Sequence, residues 1–200
     1  MPYRRLPNTD SARFRALQVA LSKGDKNPPA ELAFSVATLQ KVRYFLPSFK
    51  QALVYYNQTH TNQVEKSKEY AENQRKAKLY ISHFIQVLNL AIARNELKPE
   101  VRKFYGLKVS DKKVPLLNTE TDIITWGENI IKGEAQRLLS GGSPITNPTI
   151  AVVKVRYEDF TRAYRNQKQL QEISARALGK IADLRDEADT LILKIWNEVE

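Results

Sequence analysis

The chain has 200 residues, 42% hydrophobic and 27% charged, which lies in the ordinary globular range and suits one sizeable domain or two small ones. It contains no cysteine, which removes disulfides, thiolate zinc sites and cysteine nucleophiles together and suits a reducing, cytoplasmic setting. A formal charge of +10 favours an acidic partner, whether nucleic acid, an acidic protein surface or anionic lipid, and the competing reading is a solvated basic surface.

At the start, MPYRRLPNTD carries Arg4 and Arg5 with no apolar stretch behind them, so no secretory signal is expected. The most apolar run, VLNLAIA at 87–93, is far short of the ~20 residues that span a membrane. A first helix is expected from Thr9 or Asp10, good N-cap residues, to Lys23 before Gly24, with Phe14, Leu17 and Leu21 on one face. A second is expected to begin near Pro28-Pro29 and to bend or restart at Pro47.

From Phe49 onward a seam steps by four and three through Leu53, Tyr56, His60, Gln63, Ser67, Tyr70, Gln74, Ala77, Ile81, Phe84 and Leu88, a coiled-coil-like heptad pattern with a polar middle. No Gly or Pro interrupts 48–94, which predicts a helix roughly 70 Å long at 1.5 Å per residue, with NQTHTNQ at 57–63 as its weak point. The connection at 95–115 holds a short turn, PEVRKFYGL, that ends in a capping Gly106. A third helix is predicted from Thr119 to about Ser140, and GGSP at 141–144 closes it. A fourth is predicted to start at Asn147-Pro148 and run to the last residue, with a seam through Phe160, Tyr164, Gln167, Gln171, Ser174, Leu178, Ile181, Arg185, Ala188, Ile192, Ile195 and Val199. Nothing caps its end, so continuation past Glu200 is expected. The reading is all-α, a single helical domain with two long, antiparallel helices and two shorter ones.

KVRY occurs at 41–44 and again at 154–157, and further matches follow in the same order. LPNTD at 6–10 matches LLNTE at 116–120, Lys23-Gly24 matches Lys132-Gly133, and Asn27-Pro28 matches Asn147-Pro148. Adding 111 to the first seam gives the second, while the KVRY copies are 113 apart, which places a two-residue difference beside Pro47. The expectation is a duplication with halves 6–94 and 116–200, a pseudo-twofold form of a helical dimer; homo-oligomerisation stays open. In antiparallel packing the polar middles, Gln63, Ser67, Gln74, Gln167, Gln171 and Ser174, coincide. They read as register-fixing amides, against a polar pocket.

The chemistry of the chain is sparse. Neither His60 nor His83 has a glutamate three residues before it, and two histidines without cysteine leave too few ligands for a usual zinc site, so no metal or cofactor is expected. No phosphate loop, dinucleotide fingerprint or nucleophile elbow occurs, and Ser110-Asp-Lys-Lys113 reads as a loop; no catalytic residue is assigned. His83, within YISHFIQVLNLAIAR, is expected at the edge of the core, with a shielded base as the rival reading.

Basic residues cluster instead. Arg75, Lys76 and Lys78 lie on the first long helix, and Arg162, Arg165 and Lys168 step by three along the second; with Arg4 and Arg5 they are the candidate contacts to an acidic partner. Charge is uneven elsewhere too, with six Lys and Arg against three acids in 95–118. The leading functional reading is a non-enzymatic binding or adaptor protein for nucleic acid or an acidic protein surface. The alternative is a small-ligand binder or enzyme that uses the polar seam or His83.

PYRRLPNTD, YISHFIQVLNLAIAR, NPTIAVVKV at 147–155 and IWNEVE at 195–200 resemble an uncharacterised group of small, all-helical bacterial proteins of unknown function. The likeness spans most of the chain and implies a helical fold, with no activity and no site residues.

Overall fold

A computed structural model describes residues 5–200; Arg4 lies outside the described residues. Four α-helices follow one another: α1 (Asp10–Lys26), α2 (Val36–Ala93), α3 (Glu120–Leu139) and α4 (Ile150–Val199), with 3₁₀ turns at Pro29–Glu31 and Pro99–Tyr105. No strand occurs among the described residues. The period of three and four in the apolar positions has produced helices throughout.

Helix boundaries follow local chemistry, with some departures from the sequence reading. Thr9 caps α1 by accepting the Ala12 N–H, and Thr119 caps α3 in a reciprocal box with Asp122. Helix α1 does not stop at Lys23. It runs through Gly24 to Lys26 because Gly24 is buried beneath Leu39, where a Cβ would stand 2.3 Å from the leucine. Helix α2 begins at Val36, not near Pro28, and the Ser35 hydroxyl accepts the Thr38 N–H at its start.

The helix does not restart at Pro47: α2 is one helix from Val36 to Ala93 with the proline inside it. Pro47 is exposed, so the carbonyl left without its helical donor lies on the solvent side, where water serves it. The NQTHTNQ stretch is helical as well, and the Thr59 hydroxyl donates back to the Tyr56 carbonyl at 2.9 Å. Helix α4 begins at Ile150, with Thr149 rather than Asn147 accepting the first free N–H groups, those of Val152 and Val153.

The described chain divides into two compact units. In the first, residues up to Val64 join Gln169–Glu200. There the start of α2 runs antiparallel to the end of α4: Ser35 N–H and the Thr38 hydroxyl donate to Glu198 at 2.8 and 2.9 Å, and Val42 and Phe49 share a core with Ala188 and Ile192. Helix α1 closes this core with Leu17 and is held by two forked ion pairs, Arg13 to Asp189 and Arg185 to Asp10, all four bonds between 2.7 and 2.9 Å. The hydrogen bonds from Arg185 hold the Asp10 carboxyl below its ordinary pKa.

The second unit is Glu65–Lys168. The end of α2 runs antiparallel to the start of α4, with Arg156 over the Tyr80 ring and Tyr70 tilted against Phe160 and Tyr164. Helix α3 and the Pro99–Tyr105 turn pack on this pair around Ile81, Phe84, Ile123, Ile130 and Tyr105.

Both units therefore combine one short helix with the start of one long helix and the end of the other. The first acidic residue of each short helix meets the same seam level. Asp10 takes Arg185, and Glu120 accepts from the Tyr70 hydroxyl, to which Gln74 donates; 74 and 185 are 111 apart, and 10 and 120 are 110 apart.

The literal sequence matches behave differently. Val42 is fully buried, but Val155 at the same place in the second KVRY is exposed, and it is Val153, 111 beyond Val42, that is buried. Gly24 lies 15 residues after its cap and Gly133 lies 14 after its own, so the two face different neighbours, Leu39 and the Phe104 carbonyl. Within the second seam, Gln171 and Leu178 are exposed, and the buried Ala177 takes the place expected for Leu178.

Two glycines test this packing in opposite directions. A Cβ at Gly133 would stand 2.4 Å from the Phe104 carbonyl oxygen, whereas one at Gly179 would meet nothing within 4 Å. Gly133→Ala is expected to lower stability by about 1–3 kcal/mol in denaturant titration despite alanine's better helix propensity, because the 3₁₀ turn must move. Gly179→Ala is expected to raise stability by about 0.5–1 kcal/mol.

Candidate acidic-partner surface

Of the predicted contact residues, Arg75, Lys76, Lys78, Arg162, Arg165 and Lys168 all fall in the Glu65–Lys168 unit, while Arg5 is exposed in the other. The unit holds 19 Lys and Arg against 12 Asp and Glu, a net of +7, whereas the other unit is near balance at +3.

The helix cations are largely matched by neighbouring acids. Glu72 accepts from Arg75 at 2.9 Å and lies 3.2 Å from Lys76, and these two bases pull its pKa down to about 2. Arg162 pairs with Asp159 at 3.1 Å, and Lys168 stands over the Tyr164 ring at 5.5 Å. Glu120 is held below its ordinary pKa first by its own backbone N–H at the α3 start, then by Tyr70, with Lys168 and Lys78 adding to the effect. Arg162, Arg165 and Lys168 are thus all exposed, and of the three only Arg162 forms a salt bridge among the described residues, while Lys168 acts on Glu120 at longer range. A groove of about 490 Å³ beside Arg162 is lined by Glu69, Asn73, Asp159 and Asn166, so its charge is mixed.

Both histidines are exposed, which corrects the core-edge expectation for His83 and removes the shielding that the rival base reading needs. Tyr80 and Phe84 do not cover it, since Phe84 turns fully into the core. Among the described residues no group of three or more His, Cys, Asp or Glu side chains could hold a metal ion.

The polar side chains that organise this unit were not singled out from sequence. Glu134 and Arg137 are buried in α3. Arg137 donates to both Glu134 oxygens at 2.8 Å, to the Tyr105 hydroxyl and to the Ser143 carbonyl, while the Tyr105 hydroxyl and the Ile145 N–H also donate to Glu134. Burial alone would push the Glu134 carboxyl up, but the bonds from Arg137, Tyr105 and Ile145 together hold it below the ordinary value. Burial and the adjacent Glu134 carboxylate push the Tyr105 phenol up, so it stays protonated as a donor.

A second network fixes the connection between α2 and α3. Arg102 is also buried; it donates to the Lys108 carbonyl at 2.7 Å and to the Asn89 side-chain oxygen, and Asn89 donates to the Lys112 carbonyl at 2.9 Å. The αL conformation of Gly106, φ 69°, closes the turn as the sequence suggested. The signal for the first network was present: Ile123, Gly127 and Ile130 step by four and three, and the same steps land next on Glu134 and Arg137.

Removing one member of the buried pair leaves the other unmet. Arg137→Met is expected to cost about 3–5 kcal/mol, and Glu134→Leu with Arg137→Met distinctly less than that, by chemical denaturation. The pH dependence follows from the depressed Glu134 pKa. Its contribution is full above the unfolded value near 4.3 and is lost as pH falls through the lower folded value. The wild type should therefore lose stability on acidification below about pH 4.3, and Arg137→Met should show a shallower loss, because burial without the guanidinium raises the Glu134 pKa. Comparison with family models, curated proteins and solved structures finds no match to this chain.

Proposed function

We propose that this chain is a non-enzymatic binding or adaptor protein that recognises an acidic partner through the Glu65–Lys168 unit. The observation that carries the reading is the segregation of charge: +7 of the +10 lies in that unit, and apart from Arg102, Arg137 and Glu134 its charged side chains are exposed or half-buried. A surface of this kind attracts polyanions through counterion release and needs no catalytic constellation. Arg165 and its neighbours Arg162 and Lys168 supply one part of it, and Arg75, Lys76 and Lys78 another.

Titration of labelled single- and double-stranded RNA and DNA, and of polyglutamate, at about 50 and about 200 mM salt tests the proposal. With 6–10 phosphate contacts, affinity should fall by about 10³–10⁵ across that range. No binding of any polyanion at the lower salt sinks the reading. The groove beside Arg162, with Asn73 and Asn166 among its walls, favours a small polar ligand as the second reading. Such a ligand would bind with little dependence on salt.

A further inference from the structure

Positive charge without a partner is concentrated off the helices. Along 98–113, Lys98, Lys103, Lys108, Lys112 and Lys113 are all exposed, and none forms a salt bridge among the described residues. Beneath them lies Arg102, only 2% exposed, whose hydrogen-bond acceptors are neutral: the Lys108 carbonyl and the Asn89 amide oxygen. A buried guanidinium whose hydrogen bonds all go to neutral oxygens is compensated only in part, with Asp111 the one carboxylate that acts on it, while the five lysines of the same stretch add charge of the same sign. Two carboxylates share the stretch, Glu100 and Asp111, and Asp111 is occupied in part by the Lys113 N–H at 3.0 Å.

The backbone that carries these lysines is fixed. Arg102 and Asn89 tie down the carbonyls of Lys108 and Lys112, Tyr105 and Leu107 are buried in the core, and the Phe104 carbonyl closes on Gly133. A site whose backbone is already ordered loses little conformational freedom when a ligand arrives. The Phe104 ring, between Lys103 and the buried Tyr105, remains 37% exposed. Point charges on a fixed backbone beside an aromatic face match a nucleic-acid strand, with phosphates for the lysines and a base for the ring.

We propose that residues 98–113, pinned by Arg102 and Asn89, form the principal contact for the phosphate backbone of a single-stranded nucleic acid. The proposal rests on the acidic-partner reading and assigns it a site and a ligand class. It displaces the α4 stripe as the main contact, since Arg162 is already paired with Asp159 and Lys168 stands over the Tyr164 ring, with Glu120 acting on it at longer range.

Two triple reversals separate site from overall charge. Lys108→Glu with Lys112→Glu and Lys113→Glu, and Arg162→Glu with Arg165→Glu and Lys168→Glu, each change the net charge by the same amount from +10. Circular dichroism and melting check that both variants stay folded. At about 50 mM salt the connection variant should bind labelled single-stranded RNA or DNA at least tenfold more weakly than wild type, with its salt slope reduced by about 2, as expected for three lost contacts at ~0.7 each. The stripe variant should keep most of both. Phe104→Ala should weaken single-strand binding by about fivefold or more and duplex binding less. Loss in the stripe variant with retention in the connection variant overturns this assignment and leaves the acidic-partner reading standing. Binding of polyglutamate but no nucleic acid overturns the ligand class alone. A wild type that binds no polyanion overturns both.

Discussion

A carboxylate at the centre of a helical core has to be met on every lone pair, and Glu134 is met by groups from three separate stretches of chain. Arg137 comes from its own helix, Tyr105 from the turn after α2, and the Ile145 N–H from the loop before α4. Burying the charge is unfavourable unless all of these are in place, so the position of the turn and of the loop is set together with α3. The missing side chain of Gly133 belongs to the same constraint, because it lets the Phe104 carbonyl come close enough for Tyr105 to reach the carboxylate. Once the turn is fixed, Arg102 lies where it can hold the rest of the connection, and the lysine-bearing surface inherits that order.

The first unit solves its own packing by a different route. Its short helix is fastened at the surface by two forked pairs, Arg13 with Asp189 and Arg185 with Asp10, whose side chains remain 13–34% exposed. Partly solvated pairs of this kind contribute modestly to stability, but their planar forks fix the register of α1 on α4. In the second unit the equivalent level is neutral on one side: Glu120 receives a phenol and, behind it, an amide. Register is thus held by charge in one unit and by a neutral hydrogen-bond chain in the other.

The helices were legible because three-and-four spacing, the Thr9 and Thr119 caps and the scarcity of glycine all point the same way. The literal repeats were less informative than the register beneath them. KVRY is shared by letters, yet Val42 is buried and Val155 is exposed, because a shift of two residues turns a helix by about 200° and carries a side chain to the other face. Burial follows the spacing of 111, which pairs Val42 with Val153 and Phe49 with Phe160. The helix continues through Pro47 for a local reason: a proline on the solvent side of a long, packed helix forfeits one hydrogen bond, which tertiary packing outweighs. Glu134 and Arg137 are not legible as core from residue type, because charged side chains are rarely buried unless paired, and only their place on the stripe of Ile123, Gly127 and Ile130 points inward.

The same reasoning applies to the bases along the helices, several of which share their field with a neighbouring acid. On a helix, an acid three or four residues from a base stands beside it, and this chain places one for Arg75, Lys76, Lys132, Arg162 and Arg176 but none for Arg165. A 3₁₀ turn followed by an irregular segment has no such fixed neighbour, so each lysine at 98, 103, 108, 112 and 113 keeps its charge toward solvent. In this chain the exposed lysines of the connection are carried on a backbone that is held still from within, because Arg102 and Asn89 bind the carbonyls of Lys108 and Lys112.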